Sequence, residues 1–273
     1  MGNLLPAVFF GHGNPMNALS RNRYTEAWAE LGRTIPRPKA ILSISAHWFV
    51  PQTGVTVSTA PKTIHDFGGF PRELYGVQYP APGDPELAQR VRKLLAPTPV
   101  ALDESWGLDH GTWAVLRHVY PEADMPVVQL SIDETKPASF HYEIGERLAP
   151  LREEGVLIAG SGNLVHNLHA YAWGRHDAEP YDWAVRFEQE ARDRILAGEH
   201  ATLVQYERLG REALLSIPTP DHFLPLLYVL ATRQPRDAAA FPIDGVDGGS
   251  VSMLAVKLGD KESLGEGAKS GSG

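Results

Sequence analysis

The chain has 273 residues, 43% hydrophobic and 21% charged, with a formal net charge of −8, the composition of an ordinary globular protein. The acidic balance argues against a nucleic-acid or anionic-membrane partner, because little basic surface is available to neutralise phosphates. There is no cysteine, so disulfides, thiolate metal sites and iron–sulfur clusters are excluded, and any metal must be held by His, Asp, Glu or backbone oxygen.

In chain order, Met1-Gly2-Asn3 leads into the apolar run 6–10 without a basic segment or a small-residue cleavage site, so no signal peptide is read and a cytoplasmic location is expected. No stretch reaches the ~20 apolar residues of a membrane helix. Residues 7–10 read as a strand. Residues 24–34 carry Ala27, Trp28 and Leu31 at helical spacing. Residues 40–46 (AILSISA) form a second strand and 54–58 a third. Residues 64–82 are rich in glycine, proline and aromatics. A loop this long in a compact domain is usually functional, and its aromatics suit a lid over a planar ligand. A helix over 85–95 is capped by Asp84, and residues 127–131 form a strand. A helix over 137–153 has proline at its start, and 156–160 (VLIAG) is a strand. Helices are predicted over 183–197 and, introduced by Thr219, over 220–232. Residues 251–257 form the last strand.

Short, continuously apolar strands alternating with helices are the pattern of a sheet covered on both faces. The expected fold is a single α/β domain over residues 1–259, with a mostly parallel, mixed central sheet flanked by helices. There is no internal repeat and no linker. Residues 261–273 lack aromatics and β-branched residues, and a disordered tail is expected over 260–273.

The positions of the histidines carry the functional reading. His12 follows the first strand, His47 ends the second, and His166 lies just past the strand 156–160. Ligands of α/β sheets collect at the carboxyl ends of strands, so these three point to one site. His110 and His222 sit at predicted helix N-termini, where the dipole favours neutral imidazole, the form that binds metals or acts as a base. His65, in the aromatic loop, could contact a substrate. His118, His141, His169, His176 and His200 read as structural or solvent-exposed. Lys62, Arg72 and Arg117 could bind a substrate carboxylate, although nothing in the sequence places them near a site. No dinucleotide-binding GxGxxG, P-loop, HExxH or GxSxG motif is present.

The segments GHGNPMNAL, SAHWF, TIHDFGGFP, YPAPGDPELA, WGLDHGTW, QLSI, GSGNLVHNL and TPDHFLPLLYVL resemble the 4,5-DOPA extradiol dioxygenase family, among the class III extradiol ring-cleaving dioxygenases related to the protocatechuate 4,5-dioxygenase β-subunit. The likeness runs from about residue 6 to 258. It implies a metal site at the strand carboxyl ends with ligands at His12, His47 and His222. His166 is then a fourth ligand or the acid–base residue, and His110 a further catalytic histidine. Wider relatives use two histidines and a glutamate, but the third position here is His222. The resemblance also implies ring opening of a small aromatic diol with O2, iron(II) for activity, and zinc(II) as a metal the isolated protein can hold. A monomer or small homo-oligomer is expected. Two other readings fit the histidines alone. One is a zinc hydrolase, in which the metal activates water. The other is a non-catalytic metal-binding or interaction module, since fold does not fix function.

Overall fold

The structure is a computed structural model and describes residues 4–260. Ten strands are defined: β1 (Ala7–Gly11), β2 (Ala40–Val50), β3 (Gly54–Thr56), β4 (Ala101–Asp103), β5 (Val127–Asp133), β6 (Val156–Gly162), β7 (Asp237–Ile243), β8 (Val246–Asp247), β9 (Val251–Ser252) and β10 (Ala255–Asp260). Eight build one sheet in the order β4-β3-β5-β2-β6-β1-β10-β7, and β8 and β9 pair separately. The central run β5-β2-β6-β1 is parallel. Antiparallel pairs lie toward the edges, at β3 with β5, β1 with β10, and β10 with β7. This is the single, mostly parallel, mixed α/β sheet that the alternation of strands and helices predicts.

The central strands are mostly apolar because both faces are covered, with buried polar exceptions such as Ser43, Gln129 and Ser131. Ala7 and Phe9 of β1, Leu42 and Ile44 of β2, and Ile158 of β6 face one core. Val8, Phe10, Ile41 and Leu157 face the other. The helix Leu224–Ala231, buried at every position, packs on the first side, and the helix His110–Val119 packs on the second. Among the described residues no helix is long and apolar enough to cross a membrane.

Several boundaries differ from those read in the sequence. β2 does not end at Ala46. It runs to Val50, with a bulge in which Ile44 pairs Leu130 and Phe49 pairs Ile132. Five steps along β2 thus match two along β5, so three of the residues between Ile44 and Phe49 are surplus to that pairing, although Ser45 still pairs Ser161 of β6. β6 extends through Ser161 and Gly162, because both still pair with β1. The helix predicted over 137–153 splits into an α-helix, Ala138–Leu148, and a 3-10 turn, Ala149–Arg152, at Pro150. The helix predicted over 220–232 begins only at Leu224 and is not capped by Thr219. His222 therefore lies in the turn before it. The aromatic loop contains a short helix, Arg72–Tyr75. The last predicted strand divides into β9 and β10. Asp260, assigned to the tail, closes β10 opposite Asp237, and residues 261–273 lie outside the described residues.

Candidate metal centre

His12, His47, His110, His166 and His222 line one cleft of about 260 Å3 beside the carboxyl ends of β1 and β6 and the bulge of β2, a size suited to a small ligand. His12 leaves β1 with its N–H donating to the Gly162 carbonyl at the end of β6 (3.0 Å). His47 projects from the β2 bulge, a device that re-aims a side chain out of a regular ladder. His222 is held by the Asn163 N–H, which donates to its carbonyl (2.9 Å). Gly162 makes that approach possible, because a Cβ there would stand 2.1 Å from the same carbonyl oxygen. His166 lies beyond β6, fixed by a backbone bond to Ser216 (2.8 Å) and a bridge to Val251. His110 is the first residue of its helix, whose cap Asp109 accepts the Thr112 N–H (3.1 Å).

The partners of the imidazoles determine which nitrogen is free. Ser161 Oγ donates its proton to the Gly111 carbonyl (2.5 Å), so His12 Nδ1, 2.9 Å from that oxygen, must be the donor. His47 Nδ1 faces Asp66 Oδ2 at 3.3 Å, and His222 Nδ1 donates to the Asp221 carboxylate. An imidazole that donates through Nδ1 is left, when neutral, with a bare Nε2. The Nε2 atoms of His12 and His47 face one another at 3.1 Å, a spacing that either a shared proton or a shared ion would satisfy. One ligand atom from each of His12, His47 and His222 fits within a 4.8 Å cluster. Two nitrogens about 2.1 Å from one ion, at a tetrahedral or octahedral angle, stand about 3.0–3.4 Å apart. The donor set and its spacing fit a divalent metal, and the oxygen partner at each Nδ1 is the arrangement that orients metal-binding histidines.

His166 is arranged differently. Its ring stacks on His222 with centroids 3.5 Å apart and planes within 6°. A lone pair lies in the plane of its ring, so an ion in the plane of one ring is out of plane for the other. Ligand atoms of His166, Asp221 and His222 nevertheless lie within 4.8 Å of one another, so that trio is a second candidate group for a metal. His110 is also distinct: its backbone N–H and Nδ1 both reach Asp66, at 2.8 and 2.9 Å.

Burial, reinforced by neighbouring imidazoles, holds His12 and His47 well below the ordinary histidine range. Burial first, then His222, pushes His166 down to about 2. These rings are thus neutral bases or ligands at physiological pH. Burial alone would raise Asp66, but its bonds with His110 outweigh it and keep the carboxyl below its usual value. Burial and the charge of Asp66 raise Asp109 to about 6.

The histidine positions were legible in the sequence, but their oxygen partners were not singled out. Asp66, Asp221 and Ser161 were visible only as neighbours within TIHDF, TPDH and GSG. The two adjacent His/Asp pairs were the available signal. Phe67 and Phe70 of the aromatic loop line the cleft. Tyr79 instead turns inward and donates to the Tyr120 carbonyl (2.9 Å). His65 is not among the lining residues. It packs on Trp113 and bonds the Val77 carbonyl (3.0 Å), bracing the loop. Lys62, Arg72 and Arg117 do not line the cleft either.

Residues 12–239 match the family model described as the catalytic LigB subunit of aromatic ring-opening dioxygenase. The chain is 52% identical over 260 residues to the 4,5-DOPA dioxygenase extradiol of Escherichia coli (strain K12), covering 93% of this chain and 95% of that protein. It is 38% identical over 263 residues to the protein of the same name from Beta vulgaris, covering 94% and 97%. A crystal structure of an uncharacterized Escherichia coli K12 protein superimposes with a TM-score of 0.82 at 47% identity, covering 93% of this chain and all of that one.

Proposed function

The chain belongs to the LigB family and is an extradiol ring-cleaving dioxygenase; from that premise we propose that it opens the ring of a DOPA-like catechol with O2, using a divalent metal held by His12, His47 and His222. The observation that carries this reading is the convergence of one ring nitrogen from each of three histidines whose Nδ1 atoms lie against oxygens. The shared name of the Escherichia coli and Beta vulgaris relatives supports a DOPA-like substrate. The acidic, cysteine-free composition supports a cytoplasmic enzyme.

Iron(II), when bound, supplies redox access between catechol and O2 and acidifies the catechol hydroxyls. The protein's own groups manage protons and position. His166 is assigned the proton-acceptor role, its ring lying face to face with His222 in the cleft beside the residues that would hold the metal. Burial leaves it unprotonated at rest, so it would hold a catechol proton only transiently, against the negative charge left on the catechol. His110 is the second proton carrier, with Asp66 balancing the charge when the ring is protonated. Phe67 and Phe70 cover the planar substrate and limit the entry of water.

The test is oxygen uptake and formation of a yellow ring-opened product by protein loaded anaerobically with iron(II), then mixed with catechols and air. Activity should require both iron and O2, and zinc-loaded protein should be inert because zinc has no accessible second oxidation state. Hydrolytic activity with zinc, and no oxygen uptake with iron, would sink the proposal.

A further inference from the structure

The histidines engage the hydroxyl end of the proposed substrate and leave its side chain to other residues. Among the described residues lining the cleft, none is a lysine or an arginine, and two are carboxylates, Asp66 and Asp247. Asp66 is engaged by His110 and His47. Asp247 stands apart from the histidine set. It ends β8 opposite Val251 of β9, and Val251 in turn bridges His166. Two ladder steps of about 5 Å each separate its backbone from that of His166, the reach of one ring and a short side chain.

Asp247 accepts a hydrogen bond from the Tyr171 hydroxyl, and His176 Nδ1 lies 3.2 Å from both of its oxygens. Burial and the adjacent carboxylate push the Tyr171 phenol up, so it remains a donor. Among the described residues the one ion-pair neighbour of Asp247 is His176, so no permanent cation balances it. A carboxylate has about four acceptor positions, and these contacts leave room for another donor. Tyr171 and Trp173, whose rings meet edge to face at 4.9 Å, line the same cleft and offer aromatic faces to a cation. The arrangement is braced. Tyr171 sits on Gly248, where a Cβ would stand 2.2 Å from its ring and where φ is +52°. The Ala172 N–H donates to the Gly248 carbonyl (2.9 Å), and the Gly248 N–H donates to His176 (3.1 Å).

We infer that Asp247, with the ring faces of Tyr171 and Trp173, recognises a cationic amine on the substrate side chain, so that catechols bearing an ammonium group are selected over those with a neutral or solely anionic one. The inference rests on the catechol reading above and names the residue that sets its specificity. A dissociation constant measured without O2 separates binding from ring opening. The metal-loaded full chain is titrated anaerobically with dopamine, uncharged ethylcatechol and anionic dihydrocaffeate. Dopamine should bind on the order of tenfold more tightly than ethylcatechol, with dihydrocaffeate weakest. Asp247→Asn should bring the dopamine and ethylcatechol constants to within about twofold. Trp173→Ala, at a residue that is 66% exposed, should narrow the gap without threatening the fold. Equal wild-type affinities for dopamine and ethylcatechol would overturn the inference, even if both rings are opened. So would a folded Asp247→Asn protein that keeps the wild-type preference. If the preference and its loss are both observed but no catechol is opened, the anchor stands and the ring-opening reading falls.

Discussion

Two groups of buried histidines in this molecule share an environment but not an arrangement. His141 and His200 lie among the helices, each with Nδ1 against a tyrosine hydroxyl, Tyr228 at 2.9 Å and Tyr142 at 3.0 Å. Burial lowers both to about 4, and both leave Nε2 without a hydrogen-bond partner. In the cleft, burial likewise holds His12, His47 and His166 below the ordinary histidine range. Burial alone therefore does not make a metal site. His12, His47 and His222 differ in that one ring nitrogen of each converges within 4.8 Å, while Nδ1 of each lies against an oxygen.

The sharpest way to break this contrast is to remove one histidine from each group. His12→Ala, His47→Ala or His222→Ala should lose bound metal and reduce oxygen uptake to background, whereas His141→Gln should keep both. Metal analysis of dialysed protein, paired with an oxygen electrode, reads the difference. Metal retained by the His222→Ala protein and lost from His166→Ala would reverse the assigned roles.

The next effect separates ligand from base inside the cleft. His166→Ala and His110→Ala should retain the metal while kcat falls about 10²–10⁴-fold, the usual worth of a general acid–base residue. Smaller losses should follow from the oxygen partners. Asp66→Asn and Asp221→Asn should each cost about 10–100-fold in metal affinity or activity, as such supporting groups generally do. An Asp66→Asn enzyme with unchanged metal affinity and turnover would show that the carboxylate contributes only to packing.

The smallest expected effect lies in the other group and concerns stability. The folded-state pKa of His141 is depressed from 6.5 to about 4 by burial. Between those values the unfolded chain takes up a proton that the folded protein refuses, so stability falls as pH drops through the window. At pH 5.5 this amounts to about 1 kcal/mol. Urea unfolding at pH 7 and 5.5 should therefore show a shallower acid loss for His141→Gln than for the wild type. Equal losses would mean that other groups control the acid response.

The central strands were legible because a strand buried on both faces is mostly apolar at consecutive positions, as 7–10 and 156–160 are, while in 127–131 Val127, Val128 and Leu130 carried the pattern past the buried polar Gln129 and Ser131. β4 and β8 are too short to carry a pattern, and β7 (DAAAFPI) mixes polar, small and proline residues. The bulge in β2 was not legible, because it exists only relative to the register of β5. For the same reason His47 read as the end of a strand. The start of the helix before Leu224 was misplaced because Thr219-Pro220 looks like a cap, while the Pro220–Phe223 turn is held against β6 through the His222 carbonyl.

The sequence by itself determined the α/β class, the absence of thiolate ligands and the five histidines to consider, since composition and apolar runs act locally along the chain. Tertiary structure decided how those histidines differ. Asp66 meets His110 across 44 positions and Ser161 meets His12 across 149, and only such contacts set which nitrogen carries the proton. The stack of His166 on His222 sets those two rings apart from the other three, and it forms where two loops from distant parts of the chain meet.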